Sequence, residues 1–136
     1  MTRLGTLSTF CWAGMALLLS GSMAWAQSGA RGLALKSGES VELGHVYWVV
    51  NCRSIMVGLP QVEVLEGPPE LTLTIKESMV LPRRQNCAKD VSGGILVATA
   101  KEIKDPIKAR LTYRLKYKTK DGERQTSGAY NVSLFP

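Results

Sequence analysis

RLTYRLKYKTK, residues 110–120, decides the fold: Arg110, Arg114, Lys116, Lys118 and Lys120 fall on even positions, with Leu111, Tyr113, Leu115 and Tyr117 on the odd ones between them. Successive side chains of a strand point to opposite faces, so this period of two predicts a strand with one buried hydrocarbon face and one wet, cationic face. Immediately beyond it, Asp121-Gly122 is a pair that tolerates the positive backbone angles of a tight hairpin. The strand ending near Thr119 is therefore expected to turn back into one running to Phe135.

The same period recurs along the chain in VELGHVYWVV (41–50), QVEVL (61–65), LTLTIK (71–76), GILVATA (94–100) and AYNVSLF (129–135), all short and rich in β-branched and aromatic residues. Turn signals separate them: Gly67, Pro68 and Pro69, then Ser92, Gly93 and Gly94, then Asp105 and Pro106. KEIKDPIK, 101–108, suits either a helical turn linking two sheets or an exposed connection. About seven strands at such spacing predict an all-β chain, two antiparallel sheets packed face to face as an immunoglobulin-like sandwich, with a small barrel as the rival.

Residues 1–26 are set apart from this fold. Arg3, the apolar GMALLL (14–19) and SMAWA (22–26), with small residues at Ala24 and Ala26, form an export signal cleaved before Gln27. The apolar run falls short of the roughly 20 residues a spanning helix needs, so no transmembrane segment is expected after cleavage. Cys11 leaves with the signal. What remains, 27–136, is a single domain with 16 basic and 11 acidic residues, a formal charge of +5 that permits attraction to anionic surfaces. An exported address, periplasmic or extracellular, makes nucleic acid a poor partner. It also makes Cys52 and Cys87 a disulfide pair, closing a loop of about 36 residues for which the chain-entropy argument gives roughly 4 kcal/mol.

The C-terminal LTYRLKYKTKDGERQTSGAYNVSLF (111–135) resembles the last two strands of bacterial immunoglobulin-like and cadherin-like modules. The wider pattern, YWVVNCRS, VLEGPP, RRQNC, GGILVATAK and the terminal SLFP, resembles small uncharacterised exported proteins of alphaproteobacteria. That likeness implies a β-sandwich and an exported habitat, and it lends no activity. Neither cysteine sits in the strand bearing Tyr113 and Tyr117, so the inter-sheet disulfide of antibody domains is not implied.

A search for chemistry returns little. His45, the only histidine, lies in an apolar strand between Gly44 and Val46, where a tucked or edge histidine is the simplest reading, and no GxSxG surrounds a serine. Glu63 and Glu66, three apart on one strand, should point to opposite faces. Gly93-Gly94 lacks the lysine and helix of a phosphate loop and reads as the start of a strand or a bulge. Met56 and Met79 are too scattered from His45 to suggest copper, and Cys52, Cys87 and His45 make no zinc site. The chagasin-type inhibitor motif NPTTG is absent.

No catalytic residue, metal ligand or cofactor is therefore assigned. The basic row Arg110, Arg114, Lys116 and Lys118 is the candidate binding surface, with Arg53, Arg83 and Arg84 as an extension near the disulfide. Its partner would be an anionic polysaccharide, a lipid headgroup or an acidic protein face; the competing account is that lysines guard a strand edge against aggregation. A periplasmic protease inhibitor or an unrecognised hydrolase is the alternative from another class.

Overall fold

Nine strands follow one another in the computed structural model, which describes residues 30–136: β1 (Arg31–Lys36), β2 (Ser40–Val46), β3 (Val49–Val50), β4 (Arg53–Ser54), β5 (Gln61–Glu66), β6 (Leu71–Val80), β7 (Val91–Ala100), β8 (Ile107–Thr119) and β9 (Gly122–Phe135). The expected export signal lies outside the described residues. One sheet has the order β1-β9-β8-β5, the other β2-β7-β6, and β3 and β4 form a small separate ribbon. A Cys52–Cys87 disulfide ties the β3–β4 ribbon to the loop between β6 and β7.

The β8–β9 hairpin carries the alternation through. Its register runs from Ile107 opposite Leu134 to Thr119 opposite Gly122. Leu111, Leu115 and Tyr117 are buried, whereas Arg110 and Lys118 are exposed. The turn itself differs by one residue from the expectation: Lys120 and Asp121 occupy it, and Gly122 supplies the positive φ, +110°, at the first position of β9. Thr119 closes the turn, its hydroxyl donating to the Gly122 carbonyl at 2.6 Å and accepting from the Asp121 N–H at 3.2 Å.

Three further departures have physical reasons, and one open alternative is decided. β1 went unforeseen because RGLALK offers only Leu33 and Leu35 as large apolar residues; it pairs parallel to β9, so the sandwich is mixed and not wholly antiparallel. The expected strand 41–50 is broken after Val46, where the chain leaves the sheet to build the β3–β4 ribbon. Of the two readings of 101–108 the connection holds, for residues 101–106 form no helical turn. It is an irregular connection pinned by Ile103, which is buried and whose N–H donates to the Ser37 hydroxyl at 3.0 Å. Gly93 and Gly94 lie inside β7, where a Cβ on Gly93 would sit 2.6 Å from the Val46 carbonyl oxygen and one on Gly94 2.8 Å from Ile75.

Two apolar clusters fill the space between the sheets. Leu35, Leu71, Ala98, Leu111, Val132 and Leu134 are among the residues of the larger. Val46, Leu96, Leu115 and Tyr117 form the smaller, with Trp48 packed against Tyr117 at 5.2 Å between ring centroids. The two bulges fall on edge strands, between Glu42 and Gly44 in β2 and between Val64 and Glu66 in β5. Such irregularities twist a free edge away from further pairing.

Candidate functional site

The outer face of β8 presents the expected row. Arg110 stands opposite Asn131, Arg114 opposite Ser127, Lys116 opposite Gln125 and Lys118 opposite Glu123, and Lys108, opposite Ser133, extends the row by one more cation. β8 is an interior strand, hydrogen-bonded to β9 on one side and β5 on the other. Over residues 112–116 the strand has no free edge, so the edge-guarding account does not cover Arg114 and Lys116; Lys108 and Arg110 lie beyond the β5 ladder, where that account still applies.

β5 brings carboxylates onto the same face. Glu63 lies opposite Arg114 and Glu66 opposite Thr112, so the bulge at Leu65 turns both glutamates outward, correcting the expectation that they diverge. Glu63 Oε2 is 3.1 Å from Lys116 Nζ and 3.8 Å from an Arg114 guanidinium nitrogen. These groups are part-exposed, where such pairs contribute about 0–1 kcal/mol. The middle of the row is thus partly neutralised, while Lys108 and Arg110 face only neutral residues across β9.

Arg83 and Arg84 do not extend this face. They form a single 3-10 turn, Arg83–Gln85, in the loop between β6 and β7 and, with Arg31, line a cleft of about 910 Å³ that opens beside β2. A narrower space of about 370 Å³ continues from it, sharing Arg31, Leu43, Gly44, His45 and Arg84. Arg53 borders neither space.

The cleft follows from what is missing at inward positions. Gly44 pairs with the buried Leu96 and so occupies a core-facing site on the edge strand β2, yet a Cβ there would meet nothing within 4 Å. On β9 the corresponding inward positions are Thr126 and Gly128, and Gly128 is overlain by the Tyr113 ring, whose Cζ would lie 2.6 Å from an added Cβ. Tyr113 in turn stacks on Tyr130, at 6.2 Å, and the Tyr130 hydroxyl donates to the Leu43 carbonyl at 3.5 Å across the bulge of β2. Arg31, opposite Tyr130, places a guanidinium on the inward side of β1, where a core strand would carry hydrocarbon.

Burial, the main cause, raises the Tyr113 phenol above its ordinary pKa of 10.0; Tyr130 and Tyr117 add to the rise and Arg31 opposes it. Tyr117 is raised as well, first by burial, with the Thr126 hydroxyl opposing and Tyr47 adding. Both phenols therefore stay neutral hydrogen-bonding groups at ordinary pH.

No aspartate or glutamate lines either space. His45, exposed on β2, borders both without a carboxylate partner there, so the cleft offers cations, hydroxyls and rings rather than an acid–base pair. Among the described residues, no group of three His, Cys, Asp or Glu side chains gathers as a metal site.

The disulfide braces the arginine-bearing loop. Cys52 sits at the tip of the β3–β4 hairpin and not at the end of a strand; both turn residues, Asn51 at φ 51° and Cys52 at φ 60°, are left-handed, as a two-residue primed turn requires. Cys87 lies just after the 3-10 turn, with its Cα 5.5 Å from that of Cys52. The Tyr47 hydroxyl adds a second tie, donating to Gln85 Oε1 at 3.2 Å.

Sequence reasoning found the outer row but missed Arg31, Gly44, Tyr47 and Trp48. Their only signal was a charge and a glycine at inward parity, visible once the bulge in β2 is placed. Comparison of the chain with protein-family models, with curated proteins and with solved structures returned no match.

Proposed function

We propose that the protein is an exported, non-enzymatic binding module of immunoglobulin-like type that engages an anionic partner in the cell envelope through the outer face of β8. The observation that carries this reading is a row of cations, Lys108 to Lys118, whose middle members Arg114 and Lys116 lie where β8 is paired with both β9 and β5, so that edge protection does not account for them. Glu63 is the one carboxylate forming ion pairs among the described residues, which leaves the Lys108–Arg110 end of the row available. The Cys52–Cys87 crosslink suits an oxidising compartment. No helix among the described residues is long and apolar enough to cross a membrane.

The test is adsorption of the oxidised chain to vesicles containing phosphatidylglycerol and to an acidic polysaccharide, with zwitterionic vesicles as reference, over a range of salt. Each Lys or Arg near an anionic surface contributes on the order of 1 kcal/mol, so the Arg110→Gln, Arg114→Gln, Lys116→Gln, Lys118→Gln variant should adsorb about tenfold or more weakly, with a shallower salt dependence and an unchanged melting curve. Undiminished adsorption by that variant overturns the assignment.

A further inference from the structure

We propose that the cleft framed by β1, β2, β9 and the β6–β7 loop binds an acidic saccharide, a sugar ring carrying a carboxylate or a phosphate. This site is separate from the outer face of β8 and does not depend on it. Its volume of about 910 Å³ falls within the range of small-molecule sites, about 300–1,000 Å³. Three arginines reach it from two different elements, Arg31 from β1 and Arg83 and Arg84 from the loop, and no carboxylate lines it to neutralise them. Guanidinium groups match the planar, two-oxygen geometry of carboxylate and phosphate, and three of them converging on one concavity reinforce that attraction.

The rest of the wall selects the body of the ligand. Tyr47 and Trp48 contribute aromatic side chains to the lining, Leu43 and Leu81 aliphatic ones, and Gln85 and Thr126 neutral hydrogen-bonding groups. That mixture of flat apolar patches and dispersed donors and acceptors fits a polyhydroxylated ring, whose rim is polar and whose faces are C–H. The site is also built before any ligand arrives. The 3-10 turn is closed by Asn86 N–H donating to the Arg83 carbonyl at 3.1 Å, anchored by the buried Pro82 below it, tied to Tyr47 through Gln85 and crosslinked through Cys87. A loop ordered in advance loses less freedom on binding than a loose one.

Gly44 gives the decisive handle. An added Cβ there would meet nothing within 4 Å, its φ is not positive, and a side chain built out from it heads into the cleft that Gly44 lines.

The experiment titrates the full oxidised chain, 15N-labelled, with trigalacturonate, glucose 6-phosphate, neutral maltotriose and adenosine monophosphate, following amide shifts. Saturable binding of trigalacturonate or of glucose 6-phosphate is expected, with shifts at residues 43–47 and 126–130, and the stronger of the two identifies the acid group. Maltotriose should leave the spectrum unchanged. Arg83→Gln/Arg84→Gln, on exposed residues whose loss leaves folding intact, should weaken binding about tenfold or more, and Gly44→Leu should abolish it, while Arg110→Gln/Lys118→Gln should bind as the parent does. The proposal is overturned if neither acidic sugar binds, if the shifts map only to the outer face of β8, if the Arg83/Arg84 variant binds undiminished, or if adenosine monophosphate binds more tightly than both sugars.

Discussion

The outer face of β8 and the cleft beside β2 carry their positive charge on opposite sides of one sheet, and the two differ in what surrounds it. Outside, Arg114 and Lys116 meet Glu63 at 3.8 and 3.1 Å, and Lys118 stands across from Glu123, so the row is held in a field of mixed sign. Inside the cleft, Arg31, Arg83 and Arg84 share their surroundings with aromatic rings, hydroxyls and a histidine, and with no carboxylate. Charge on an open strand face tolerates screening and partial pairing. Charge at an inward strand position has no such use in a core, and Arg31 holds one, with Arg83 and Arg84 brought to the same cleft from the β6–β7 loop, which makes this the more informative group.

That contrast is open to attack in order of effect. Replacing both cysteines, Cys52→Ser with Cys87→Ser, should cost about 4 kcal/mol in urea unfolding, from the loss of a loop of about 36 residues. Under native conditions hydrogen exchange should then accelerate at residues 82–90 while the β8–β9 amides stay protected. Equal acceleration in both regions would put the two basic groups on the same footing. Because Cys52 holds a positive φ, Cys52→Gly in the same background should recover about 1 kcal/mol relative to Cys52→Ser.

Gly128→Val drives a side chain into the Tyr113 ring and should cost about 1–3 kcal/mol, with loss of the near-ultraviolet signal of the Tyr113–Tyr130 stack. Its outward neighbour Ser127→Val should stay within about 0.5 kcal/mol. Similar melting temperatures for the two would mean that inward and outward positions of β9 are not distinguished by packing.

Alkali probes the buried tyrosines. Their phenols are raised by burial above the unfolded value of 10.0, so the folded state holds those protons more tightly. The resulting stability is complete below pH 10 and is lost as pH climbs through the folded values. Melting temperature should therefore fall more steeply above pH 10 in the parent than in Tyr117→Phe; parallel slopes would contradict it.

Smallest of all in stability, Glu63→Gln should change unfolding by less than about 1 kcal/mol. It frees Arg114 and Lys116, so adsorption of the outer face to anionic vesicles should strengthen. Weaker adsorption would mean that Glu63 orders the row rather than neutralising it.

How much of this was written legibly in the chain varies with the length of the pattern. Leu111, Tyr113, Leu115 and Tyr117 alternate with cations long enough to fix a strand, its faces and its hairpin partner, and the disulfide followed from two cysteines together with the expectation of export. Shorter signals failed for identifiable reasons. RGLALK has two large apolar residues and a partner, β9, about a hundred positions away, so its parallel pairing is invisible locally. Glu63 and Glu66 share a face only because Leu65 is bulged, and a bulge shifts parity without leaving a mark in composition. Gly44 lines the cleft by the same device, since the bulge before it decides that a glycine stands where a core side chain belongs. The cleft thus depends on irregularities, and the outer face on regularity.

The parallel entry of β1 sets the start of β1 and the end of β9 apart. Arg31 begins β1 beside Tyr130 at the rim of the cleft, whereas Lys36 pairs with Phe135 near the C-terminus, roughly 16 Å further along at about 3.3 Å per residue. Any peptide attached upstream of Arg31, an affinity tag or a fusion partner, departs from the mouth of the arginine-lined space, while one appended after Pro136 leaves from the far end of the sheet. Immobilisation through the C-terminus is accordingly the orientation that keeps the cleft in free solution.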